Sequence, residues 1–142
     1  MNNCQLTLLK FEVDKLHFDL NENYRQDSEQ VISLEPKLTV SIMDGESEEK
    51  VKKVTISCYI FEDAEKRNLP FTCSAQVSGI FKAEENSSEE SIEHIFKYNA
   101  TAILLPYLRA AISQLTCLAE KRPVRIPIIN VYDLIDRGQQ PA

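Results

Sequence analysis

The sequence predicts an α+β fold, with four strands in its first half and helices in its second. The first half alternates apolar and polar side chains with a period of two, the pattern of half-buried strands. The second half spaces its apolar residues three and four apart, the pattern of helices packed on one side. The length sets the scale: 142 residues, 43% of them hydrophobic, suffice for one domain with a real core. The reading is a single domain over 1–142, ordered over about 5–136, with a disordered tail at 137–142.

The strands follow in order. "LTLLKFEVDKLHFDL" sets Leu9, Phe11 and Val13 on odd positions, then Leu16, Phe18 and Leu20 on even ones. A period of two cannot change phase without an extra residue, so a bulge or bend is predicted at Asp14–Lys15. After a long loop, "KLTVSIMD" points Leu38, Val40 and Ile42 to one face. The turn "DGESEE" leads to "VKKVTISCYIF", with Val54, Ile56, Cys58 and Ile60 inward. "FTCSAQVSGIF" then points Phe71, Cys73, Ala75 and Val77 inward, and a phase break is predicted near Gly79. The opposite face carries Thr39, Ser41, Thr55, Ser57, Tyr59, Thr72, Ser74, Gln76 and Ser78. It is rich in hydroxyls and nearly free of charge, which fits a solvated sheet face or a flat docking surface.

The helices follow. "SSEESIEHIFKY" opens with a serine cap and acids in the first turn, as the helix dipole favours, and Ile92, Ile95 and Phe96 make its apolar side. The main helix is predicted to begin near Ile103, because Pro106 is tolerated in a first turn, and to run to about Lys121. Leu104, Leu108, Ala111, Ile112, Leu115 and Leu118 form a stripe for the sheet. Ala110, Ser113, Gln114 and Cys117 form a second strip, too small and too poor in charge to face water. Such a strip admits a second helix at close range, so burial on both sides, the second by another subunit, is expected. "RPVRIPIINVYDLI" gives an extended connection forced by Pro123 and Pro127, then a short helix capped by Asn130.

Composition removes several functions. The net charge of −6 and the small basic groups argue against nucleic acid. The acidic runs "ESEE" and "EENSSEESIE" read as solvated loops. No run reaches the roughly 18 consecutive apolar residues of a membrane span, since Pro106 and Arg109 interrupt the best stretch. "MNNCQLTLLK" has no basic segment before an apolar run, so no signal peptide is read and a cytoplasmic location is expected. Cys4, Cys58, Cys73 and Cys117 form no C-x-x-C pair, and His17 and His94 add no ligand cluster. They read as free thiols, without metal. Gly45, Gly79 and Gly138 are too scattered for a phosphate loop, and no G-x-S-x-G elbow occurs. No cofactor and no catalytic constellation are expected. The competing readings are a binding protein, an enzyme or ligand carrier on a curved sheet, and an adaptor using the flat face.

"SGIFKAE", "NATAILLPYLRAAISQLT" and "IPIINVYDLI" together resemble the SecB export-chaperone family. The match is strong over roughly residues 75 to 135 and weaker but in order before that, including "LHFDLN". The resemblance implies a four-stranded antiparallel Greek-key sheet with helices on one face, assembled as a homotetramer, a dimer of dimers with the main helices between two sheets. It implies an ATP-independent holdase for unfolded or precursor polypeptides, in export or for one dedicated client such as an antitoxin. The family's groove lies between the loop after the first strand, the second strand, and the last helix with its connection. By position this implies Leu38, Val40, Ile42, Ile126, Ile128, Ile129, Tyr132, Leu134 and Ile135. Members serving the motor SecA carry acidic and apolar residues on the outer sheet face. The matching positions here are Lys15, Asp19, Thr72 and Ser74, of which only Asp19 is acidic. The family's common acidic C-terminal tail is also missing, so the motor-docking face is not carried over intact.

Overall fold

The computed structural model describes residues 6–25, 36–44, 50–83 and 94–119. β1 (Leu6–Leu20), β2 (Lys37–Asp44) and β3 (Val51–Ile60) come first. A short α1 (Ala64–Arg67) precedes β4 (Phe71–Ala83). A π-helical turn, Ile95–Asn99, then runs into α2 (Ala100–Leu118). All pairings are antiparallel and the spatial order is β1-β4-β3-β2. β2, β3 and β4 pair in succession and β1 returns beside β4, which is a Greek key.

Alternation decides which residues enter the core. Val54, Ile56, Cys58 and Ile60 of β3 and Phe71, Cys73, Ala75 and Val77 of β4 are buried on one face, as the period of two predicts. β1 carries two extra residues. Leu8 pairs with Phe81 but Lys10 with Ile80, and Val13 pairs with Val77 but Lys15 with Gln76. The second shift is the bulge expected at Asp14–Lys15. The first falls at Leu9 and corrects its placement: Leu8 holds the inner row, and Leu9 is the extra residue. Two adjacent leucines hide a phase change, because either phase is apolar.

The phase break expected near Gly79 does not occur. Gly79, Phe81 and Ala83 are buried on the row that Phe71 begins. The glycine is there for space. A Cβ on it would stand 2.8 Å from Cε2 of Phe81 and 3.0 Å from Cδ1 of Leu8. The Phe81 ring, fully buried, occupies that place.

The main helix also starts earlier than predicted. The described chain is already helical at His94, α2 begins at Ala100, and Pro106 lies inside it. A proline at this position leaves the Ala102 carbonyl without its usual donor. Both residues are exposed, so water can take that bond. Leu104, Leu108 and Ile112 are fully buried under the sheet, and Ala111 and Leu115 pack against the cluster. Leu118 leaves the predicted stripe and is 83% exposed. It lies about 90° round the helix from the centre of the buried side. Thr101 and Thr116 sit buried among these leucines because their hydroxyls donate back to the Lys97 and Ile112 carbonyls, at 2.8 and 3.0 Å. The helix Phe96–Leu118, 23 residues with mean hydropathy 1.3, has the length and composition of a membrane span. Packing on the sheet buries about a third of it, and the rest faces away.

Candidate functional site

β2 brings three of the expected groove residues onto one row. Leu38 pairs with Cys58, Val40 with Ile56 and Ile42 with Val54, so all three face the core side. Their partners are essentially fully buried, yet Leu38 and Val40 are half-buried and Ile42 is 37% exposed. The difference arises because β2 is the edge of the sheet. Among the described residues, no strand pairs with its other side. An edge strand gives its side chains neighbours on one flank only, which leaves an apolar row half open. Ile126, Ile128, Ile129, Tyr132, Leu134 and Ile135 lie outside the described residues, as does the tail.

A second apolar surface lies at the opposite edge. Val13, Leu16 and Leu20 hold inner-row positions on β1, opposite Val77, Ala75 and Phe71, and each is at least half exposed. α2 adds Ile103 and Tyr107, also exposed. The two parts meet where Tyr107 packs on Phe11, ring centroids 4.7 Å apart. The strip expected to meet another subunit borders this surface. Ala110, Gln114 and Cys117 are exposed and Ser113 is half-buried, all turned away from the chain's own sheet. The sequence pattern places Val13, Leu16 and Leu20 on the apolar positions of β1 and does not single out Ile103 and Tyr107. Alternation identifies a face but does not say whether anything covers it. The charge-free "ILLPYLRAA" was the signal for the helix residues.

The outer face is the hydroxyl-rich surface that alternation predicts. Thr39 and Ser57 share a hydroxyl hydrogen bond across β2 and β3. Ser78 donates to Asp14 at 3.1 Å, so the bulge residue is tied to β4. The positions that match the family's motor-docking face lie along one stretch of the β1–β4 pair: Asp19 stands opposite Thr72, His17 opposite Ser74, and Lys15 opposite Gln76. The one acid among them is engaged, with Asp19 Oδ2 2.9 Å from His17 Nε2. Further along, Lys10 and Glu12 pair at 2.9 Å. Their mutual hydrogen bond raises the lysine pKa and lowers that of the glutamate. At the Asp19 end a polar cleft of about 420 Å³ opens between β1, β4 and α1, lined in part by Asn21, Asp63 and Glu65.

Nothing described here assembles a nucleophile with a base. Burial raises the Cys58 thiol to about 12 and Cys73 to about 11, so both are inert at neutral pH. Cys58, Cys73 and Cys117 are free thiols, and Cys4 lies outside the described residues. No group of three or more metal-ligating side chains is found among the described residues. What the surface offers is apolar area on a polar, charged body, which suits binding.

Residues 6–141 match the SecB family, described as preprotein translocase subunit SecB. The chain belongs to the SecB family. An uncharacterised protein of Methanocaldococcus jannaschii is 30% identical over 132 residues, covering 93% of this chain and 83% of that one. Among solved structures, a SecB-like chaperone of Mycobacterium tuberculosis, in complex with a ChAD peptide from the HigA1 antitoxin, matches with a TM-score of 0.64. It is 14% identical, with 87% of this chain and 90% of that one covered. A protein of unknown function from Streptococcus agalactiae matches at a TM-score of 0.51 and 15% identity, over 88% and 98% of the two chains. The SecB fold expected from the sequence is the one found.

Proposed function

We propose that this SecB-like protein is an ATP-independent holdase that keeps an unfolded polypeptide extended along the groove bordered by Leu38, Val40 and Ile42. Ile126, Ile128, Ile129, Tyr132, Leu134 and Ile135 complete the groove in this reading. The observation that carries it is the half-open apolar row on edge strand β2 of a SecB fold. A holdase needs no nucleotide, because binding the unfolded state alone shifts the client's equilibrium.

A dedicated client, such as an antitoxin, is favoured over general export. The structurally similar mycobacterial chaperone holds an antitoxin peptide. The outer face also lacks the acids that SecA docking calls for: Lys15, Thr72 and Ser74 replace them, and Asp19 is paired with His17. Export through SecA remains the second reading, supported by the family's description. Assembly is part of the proposal. The uncovered β1 row and the Ala110–Cys117 strip fit a homotetramer built as a dimer of dimers, in the cytoplasm.

The test is light scattering of an aggregating client with and without the protein, in the absence of nucleotide. Suppression at a stoichiometric ratio is the expected result. Suppression only with ATP, or none, overturns the reading. Calorimetry with the zinc-binding tail of SecA separates the two readings: no heat is expected, and micromolar binding would favour export.

A further inference from the structure

The turn joining β3 to β4, residues 61–70, holds chemistry that the groove residues do not use. Phe61, Asp63 and Asn68 have positive φ, at 58°, 54° and 52°, and none is glycine. Such residues persist only where the surroundings hold them. Asn68 shows what holds it. Its Oδ1 accepts from the Arg25 backbone N–H at 3.0 Å, and its Nδ2 donates to the Arg25 carbonyl at 2.9 Å. A side-chain amide here meets a backbone unit as a neighbouring strand would, giving and accepting at once.

Two more contacts reach the same turn. Asn21, buried at the end of β1, donates to the carbonyls of Leu69 at 2.9 Å and Ala64 at 3.2 Å. Its own Oδ1 accepts from the Asn23 N–H at 3.0 Å. Glu62 takes the Lys37 ammonium at 2.7 Å, on the first residue of β2. The chain therefore leaves β1 on this turn, at Arg25, and returns to it, at Lys37.

We infer that the 61–70 turn is a clamp fixing both ends of the β1–β2 connection, with Asn68 as the residue that positions it for client binding. The inference rests on the groove reading, since Lys37 precedes Leu38, the first groove residue. Asn68 matters more than Glu62. The Lys37–Glu62 pair is solvent-exposed, and pairs of that kind contribute little. The Asn68 amide supplies two hydrogen bonds in one plane, and nothing else described bonds to the Arg25 backbone. The residue type also explains itself, because asparagine is the side chain that combines left-handed backbone with a donor and an acceptor.

Asn68→Gly isolates this role. Glycine takes the left-handed conformation without strain, so the turn is kept and only the amide is lost. Three measurements are made on the full chain: the thermal midpoint, amide hydrogen exchange at Arg25, and the Kd for reduced, carboxymethylated α-lactalbumin, a permanently unfolded probe. The midpoint should fall by no more than a few degrees, because the relief of left-handed strain offsets part of the lost hydrogen bonds. Exchange at Arg25 should rise, and the Kd should weaken, each by about tenfold, the effect of losing two modest hydrogen bonds. Asn68→Asp keeps the acceptor and loses the donor, so it should fall between. A native Kd in Asn68→Gly, or unchanged Arg25 exchange, overturns the clamp. If the unaltered chain binds no probe, the holdase reading itself fails; the exchange result then still decides whether the clamp exists.

Discussion

Single residues decide two things in this protein: where the core is tight and which thiols react. Gly79 lies under the Phe81 ring, and that ring is fully buried and cannot swing away. Gly79→Ala should therefore destabilise the fold by about 1–3 kcal/mol, the usual cost of overpacking, as read from urea unfolding. A stability equal to the native chain's would mean the ring moves freely. The cysteines divide by burial. Cys58 and Cys73 should react with a thiol reagent only after unfolding, while Cys117, exposed on the single chain, should react once the assembly is dissociated. Their raised pKa values also make a pH prediction. Unfolded thiols ionise near the ordinary value of 9.0, while the folded ones stay protonated to about 12 and 11. Stability from this source is complete below pH 9 and declines as the pH rises from there toward 12. Cys58→Ala should flatten that alkaline decline, and an unaltered slope would assign it to other groups.

At the scale of elements, α2 is the part whose two sides have different fates. Leu104, Leu108 and Ile112 are fully buried on the sheet, while Ala110, Gln114 and Cys117 face outward beside exposed Tyr107 and Leu118. An outward face so poor in charge is costly in water over about three turns, and another copy of the same helix is the simplest cover. Ala110→Glu or Ser113→Glu would bring carboxylates together at such a contact, an arrangement with a desolvation cost and no partner. Dissociation to dimers or monomers is expected by light scattering, with weaker chaperoning because a long client engages several grooves. Unchanged mass in both variants would remove this strip from the interface.

At the scale of the whole molecule, four copies of the 16.2 kDa chain give a particle of about 65 kDa under closed symmetry. A monomer at micromolar concentration would overturn the assembly. Val40→Arg with Tyr132→Ala should weaken client binding while leaving the far-ultraviolet circular dichroism unchanged, since Val40 is only half-buried at a sheet edge. Native affinity in that double variant would move the groove elsewhere. The two apolar surfaces sit at opposite edges of one sheet, β2 and β1. A chain can thus offer one edge to a client and the other to its copies.

By itself the sequence determined the bounds of β1 and β2, the buried rows of β3 and β4, and the bulge at Asp14, because a strand shows its two faces in every second residue. The G-I-F, N-A-T-A-I-L-L-P-Y-L-R and I-N-V-Y-D-L-I runs were enough to point to the family. Tertiary structure decided what periodicity cannot express. Leu8–Leu9 concealed a second bulge because both phases were apolar. Gly79 looked like a break and is a space for a ring that only the fold puts there. Pro106 suggested a helix start, yet the helix passes through it on an exposed side. Val13, Leu16 and Leu20 form an apolar row that stays half exposed, because alternation carries no record of whether a neighbour covers a face. The bonds of Asn21 and Asn68 to chain more than 40 residues away exist only once β1 and β4 lie side by side.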